Sequence, residues 1–155
     1  MFPAVTYVDV DRRAAAFFAD EHGVRGIIAE HPGGPPDPHL RFVHADYRQP
    51  LGLPDGAFDL LVSLFAGFVS EHCTKHLRIG GTLLANPSHG DAAMASIDPR
   101  YELTAVLVSR SGDYRMGSSF DTVIPEHPRP PLNSKREAGS CSWIQTRRHD
   151  TTSGA

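Results

Sequence analysis

Gly52-Leu53-Pro54-Asp55-Gly56-Ala57-Phe58-Asp59-Leu60-Leu61-Val62-Ser63 is the stretch on which the fold turns. Pro54-Asp55-Gly56 is a turn signal, because proline presets φ, aspartate bonds its own backbone and glycine tolerates positive φ. Ala57 to Leu64 then reads as a strand. Its run Leu60-Leu61-Val62 is apolar without alternation, which predicts a strand covered on both faces, as in a parallel sheet. Before the turn, Arg41 to Ala45 forms an apolar strand that ends in the carboxylate of Asp46. After it, Val69 to Leu77 reads as a helix with Val69, Cys73, His76 and Leu77 on one face, and Gly80-Gly81 leads into a strand over Thr82 to Ala85. Strand, acid, turn, strand, helix, turn, strand is the rhythm of an open α/β sheet.

Further out the pattern weakens. Val5 to Val10 is a short strand rich in β-branched and aromatic residues. Asp11 stands where a helix N-cap belongs, and Arg12 to His22 is helical with Gly23 as its stop. Val24 to Glu30 is ambiguous, a short helical continuation being one reading. His31 to Pro38 must be loop, because repeated proline removes donors and forbids helix. Asp91 to Ile97 is a short helix with its alanines and Met94 inward. Tyr101 to Ser109 and Ser142 to Thr146 are strand-like with no convincing helix between them, which predicts an antiparallel pair at a sheet edge. The expected organisation is a single α/β domain over residues 1–150, a Rossmann-like, mostly parallel sheet with helices on both faces, and a frayed tail over 151–155.

Composition narrows the function classes. A chain of 155 residues with 40% hydrophobic and 21% charged residues can bury a real core. A net charge of -3 gives no electrostatic case for nucleic acid or an anionic membrane as the main partner. The longest apolar stretch, Leu60 to Val69, is too short to span a bilayer. Met1-Phe2-Pro3 opens no basic region followed by an apolar core. Two cysteines, Cys73 and Cys141, make no disulfide framework, so a reducing, cytoplasmic compartment is the expectation.

In an open parallel sheet, ligands sit beyond the carboxyl ends of the strands. The residues there are Asp9, Val10 and Asp11, then Asp46 and Tyr47, then Ser63 to Phe65, then Asn86 to Asp91. A carboxylate is acceptor-only and takes two donors at once, so acids at successive strand ends suit a ribose diol and an exocyclic amine. Asp46 has a second reading, as an anchor for its own loop. Asn86-Pro87-Ser88-His89-Gly90-Asp91 is the richest polar cluster: His89 as a general base oriented by Asp91 stands beside a plain turn with Ser88 as a cap. His72 and His76 have zinc-compatible spacing around Cys73, yet no further cluster completes a ligand set, so no metal is expected. Lys135-Arg136 and Arg147-Arg148 read as solvated charge.

These residues resemble a family. VTYVDVD, FVHADYRQPLGLPDGAFDLLVSLFAG and HLRIGGTLLANPSHGDA, in that order from Ala4 to Val108, are similar to the class I S-adenosylmethionine-dependent methyltransferases. The resemblance implies S-adenosylmethionine as cofactor, Asp9 with Val10 at its ribose, Asp46 at its adenine amine with Tyr47 beside the ring, and Ser63 near the transferring methyl. It also implies strand order 3-2-1-4-5-7-6, with a glycine-rich turn after the first strand. Nothing like G-x-G-x-G precedes Asp9, and Gly33-Gly34 and Gly80-Gly81 stand in the wrong contexts.

The expectation is therefore a methyltransferase-like domain lacking that strand and loop, whose neighbours pair directly or accept a strand from a second copy or a partner chain. Methyl transfer to an unidentified acceptor is the first function. A non-catalytic remnant or interaction module is the alternative. A short dehydrogenase is disfavoured, since it needs the same glycine loop and no Tyr-x-x-x-Lys occurs.

Overall fold

A computed structural model describes residues 3–33, 35–110, 113–117 and 140–148. The proline-rich stretch 125–131, Lys135-Arg136 and the tail over 151–155 lie outside the described residues. The chain divides into two compact units, Met1–Leu53 and Pro54–Ala155.

In the first unit, β1 (Ala4–Asp9) pairs in parallel with β2 (His39–His44), from Ala4 opposite His39 to Asp9 opposite His44. Asp11 caps α1 (Arg12–Ala19) by accepting the Arg13 N–H. The helix stops at Asp20 rather than at Gly23. Asp20 caps a second helix, α2 (Glu21–Glu30), by accepting the Gly23 N–H at 3.0 Å. Tyr7 and Phe42 share a register position, and Phe18 of α1 lies over them, with ring centroids 4.5 Å from Tyr7 and 4.9 Å from Phe42.

The second unit carries five strands in the order β3 (Phe58–Ser63), β4 (Leu77–Ala85), β7 (Ser140–Arg147), β5 (Tyr101–Arg110), β6 (Asp113–Gly117). β3–β4 is parallel, while β4–β7, β7–β5 and β5–β6 are antiparallel. The sheet is thus mixed, not mostly parallel. The two late strands do pair with each other, with β7 between β4 and β5 as the family order ending 4-5-7-6 implied, and β6 is a further strand that takes the edge. β4 begins earlier than the glycines suggest: Phe58 opposes Leu77 and Leu60 opposes Thr82, so residues 78–81 bulge out of register. Gly80 has φ 76° there, and a Cβ on Gly81 would lie 2.8 Å from the Arg78 carbonyl oxygen.

α3 (Val69–Cys73), a 3₁₀ turn over Thr74–His76 and α4 (Asp91–Ile97) pack on one face of this sheet. Leu77, Leu83, Ala85, Ala92, Ala95 and Tyr101 form the core there, with Leu61 and Trp143 against it. The other face differs. Leu60, Leu84, Ala105, Leu107 and Ile144 are only half-buried, and Val62 is 48% exposed. Helices on both faces, and a β3 covered on both faces, were the expectation; among the described residues the helices of this unit take the Leu83 face alone.

Candidate functional site

In the first unit the strand ends bring four expected residues together. Asp9 closes β1, and its carbonyl accepts the Ala45 N–H at 3.1 Å, carrying the ladder past β2. Its Oδ1 accepts the Asp11 N–H at 2.9 Å, and its other oxygen accepts nothing among the described residues. The Val10 carbonyl accepts from His44 Nε2 at 3.0 Å, so that nitrogen carries the ring proton, and the Val10 side chain is 61% exposed. Asp46 and half-buried Tyr47 follow directly.

Asp46 is already engaged. Its Oδ1 accepts the Arg48 N–H at 3.0 Å, and Arg48 Nη2 lies 2.5 Å from Oδ2. The same contact raises the Arg48 guanidinium above its ordinary value. With the Arg48 side chain 63% exposed, the pair is a surface one and screened by solvent.

In the second unit Ser63 closes β3, buried, with no hydrogen-bond partner for Oγ among the described residues. Its carbonyl accepts the Asn86 N–H at 3.1 Å. Two residues on, Phe65 has φ 58°, the one positive φ among described non-glycine residues. That backbone conformation costs a bulky side chain roughly 1–2 kcal/mol. The Asn86 amide oxygen offsets part of it by accepting the Phe65 N–H at 3.1 Å.

The polar cluster after β4 is arranged differently from expectation. Asp91 is fully buried; its Oδ1 accepts the Ser70 N–H at 2.9 Å, and its Oδ2 has no partner among the described residues. The partner of His89 is Ser88, with Oγ 2.9 Å from Nδ1. Asp91 thus ties α4 to α3 instead of orienting His89. Burial, with Asp91 adding to it, pushes the Cys73 thiol up to about 11, so it packs as a small apolar group at neutral pH. His76 is buried with Nδ1 3.2 Å from the Pro54 carbonyl oxygen. Arg147 is not simply solvated: its Nη1 donates to the Thr74 carbonyl at 3.0 Å and to the Leu77 carbonyl.

No family profile matches the chain, and no curated protein matches it in sequence. Its structure is similar to the crystal structure of a SAM-dependent methyltransferase from Methanosarcina mazei, with TM-score 0.54 and 12% identity over 94% of this chain and 82% of that one. The likeness is one of fold. It supports a Rossmann-like α/β fold here, with a mixed larger sheet. No helix among the described residues is long and apolar enough to cross a membrane.

Two features escaped the sequence reading. Arg48 was legible in principle, because Asp-x-Arg is a local turn pattern. The positive φ of Phe65 was not: no glycine or asparagine marks that position.

Proposed function

We propose that this chain is an S-adenosylmethionine-dependent methyltransferase domain. The observation that carries the reading is the fold shared with a methyltransferase structure at 12% identity. Two adjacent parallel strands end in Asp9 and, just beyond β2, Asp46, the arrangement that suits a ribose diol and an adenine amine. Asp9 fits its role, having an oxygen free to accept hydroxyl protons. Asp46 fits once Arg48 swings aside, with Val10 and Tyr47 beside the nucleoside. The cofactor supplies an activated methyl group; the chain's residues bind it and orient the acceptor, and orientation is the larger part of such catalysis.

Isothermal titration calorimetry with S-adenosylmethionine tests this. The expected result is saturable heat, weakened at least tenfold by Asp9→Asn and strengthened by Arg48→Ala, which takes the guanidinium off Asp46. Absence of heat from demonstrably folded protein removes the reading, and an unchanged affinity in Arg48→Ala removes Asp46 from it.

A second reading, a self-associating module, rests on the edge of β3, which pairs with no strand but β4 among the described residues. The Ser63 carbonyl points to β4, so the backbone groups of Leu60 and Val62 point away from it. Antiparallel pairing with a second copy about Leu61 sets Leu60 against Val62 and Asp59 against Ser63, with no like charges opposed. Light scattering then reads a dimer that Val62→Pro dissolves; a monomer at high concentration discards it.

A further inference from the structure

At the amino ends of β3 and β4, the ends opposite Ser63 and Ala85, three cations meet in one hollow. Lys75, Arg78 and Arg147 line a surface cavity of about 450 Å³ with Asp55, Gly56 and Ile79, all of them within Pro54–Ala155. The cations come from three elements. Lys75 sits in the 3₁₀ turn before β4, Arg78 opens the bulge of β4, and Arg147 ends antiparallel β7. In a chain of net charge -3, like charges gathered in this way repel one another unless something negative lies among them.

The backbone fixes them there. Arg147 Nη1 donates to the carbonyls of Thr74 and Leu77, so its guanidinium is held against the residues that precede Lys75 and Arg78. The Gly56 N–H donates to the Lys75 carbonyl at 2.9 Å, which fastens the Pro54-Asp55-Gly56 turn to the same spot. Residues 78–81 leave the ladder, and Arg78 and Ile79 of that bulge are both exposed. The acids at hand leave donors over. Asp59 accepts from Arg78 Nε at 2.5 Å, and a guanidinium engaged through Nε keeps its Nη2 protons. Asp55 turns to His76, its Oδ1 3.6 Å from Nδ1. Lys75 Nζ makes no hydrogen bond or ion pair among the described residues. Three cations against Asp55 and Asp59 leave the hollow positive, and Ile79 gives it one apolar wall.

We propose that this hollow binds a phosphate monoester. Its phosphoryl oxygens accept from Lys75 Nζ and Arg78 Nη2 beside the fixed charge of Arg147, and its organic group lies on Ile79. The site is separate from the strand ends that carry the methyltransferase reading and does not depend on it.

Amide NMR of the full chain, titrated with phenyl phosphate at constant ionic strength, tests this. Saturable shifts are expected at Gly56, Lys75, Arg78 and Ile79, and none at Ser63 or Ala85. Lys75→Ala should weaken phenyl phosphate about fivefold, and Asp55→Asn, which removes a repelling charge, should tighten it about twofold. Inorganic phosphate should bind more weakly than phenyl phosphate, and Ile79→Ala should bring the two together. Arg147 is left intact in these variants because it ties Thr74 to Leu77. Shifts that potassium chloride reproduces mean an adventitious ion only and overturn the proposal, as does parent-like affinity in Lys75→Ala. Inorganic phosphate binding as tightly as phenyl phosphate overturns the monoester as the ligand.

Discussion

An aspartate two residues before an arginine does the same thing at three places. Asp11, Asp46 and Asp98 each accept the N–H of the residue two ahead, and that residue's guanidinium folds back onto the carboxylate. The pattern is local and legible in Asp11-Arg12-Arg13, Asp46-Tyr47-Arg48 and Asp98-Pro99-Arg100. It explains why Asp46 had two readings: the anchoring geometry is present, and any ligand role must displace it. Asp98 offers a direct measure of what such a pair contributes. The hydrogen bond from Arg100 holds its carboxyl below the ordinary value, against the opposing effect of burial. A depressed folded value stabilises fully above the unfolded one, about 3.9, and that contribution is lost as pH falls through the folded value. Asp98→Asn should therefore cost about 1 kcal/mol at pH 7. In urea melts the gap from the parent should close progressively as the pH falls below about 4. A gap that stays constant down to strongly acid pH contradicts the assignment.

At the level of elements, short-range chemistry was readable wherever one residue decides it. Apolar runs placed β1 to β3 within a residue or two at most boundaries, and Asp11 marked the start of α1. The break at Asp20 was not readable, because Gly23 imitates a helix stop while serving as the site that a cap bonds. A Cβ on Gly23 would meet Asp20 Oδ2 at 2.3 Å and Cγ at 2.9 Å, whereas Gly26 has nothing within 4 Å. Both glycines lie inside α2, where alanine is ordinarily favoured by roughly 0.5–1 kcal/mol. Gly26→Ala should realise that gain. Gly23→Ala must expel the capping carboxylate, worth about 1 kcal/mol, and should show none. In an Asp20→Ala background the difference between the two should vanish, which chemical denaturation of the four variants reads directly. Equal stabilisation by both single changes would remove Asp20 as the cap of α2.

For the molecule as a whole, what the sequence conceals is long-range pairing. Nothing local says that β7 enters between β4 and β5, since antiparallel partners some forty residues apart carry no mark of each other. Asp113–Gly117 does alternate, charged Asp113 and Arg115 with Tyr114 and Met116, but four such residues between Gly112 and Gly117 give a weak strand signal. The half-buried sheet face was hidden for a related reason: Leu60 and Val62 are as apolar as Leu61, and among the described residues only the placement of α3 and α4 separates them. Burial is correspondingly uneven. Of the buried apolar side chains, Val24, Pro38 and Leu51 belong to Met1–Leu53, and Val69, Cys73, Leu77, Leu83, Ala85, Ala92, Ala95, Tyr101, Val106 and Val108 to the other unit. Two paired strands with helices on an aromatic stack are marginal alone, whereas β4 has neighbours on both sides and a packed face. Resistance to opening follows buried apolar contact. Amide exchange should therefore be slowest at Leu83, Leu84 and their β7 partners, and at least tenfold faster at Tyr7, Val8, Phe42 and Val43. S-adenosylmethionine that engages Asp9 should slow the β1 and β2 amides selectively, because a ligand stabilises the part that binds it. Uniform protection across both units before any ligand is added would show that the first unit draws its stability from more than its own few buried side chains.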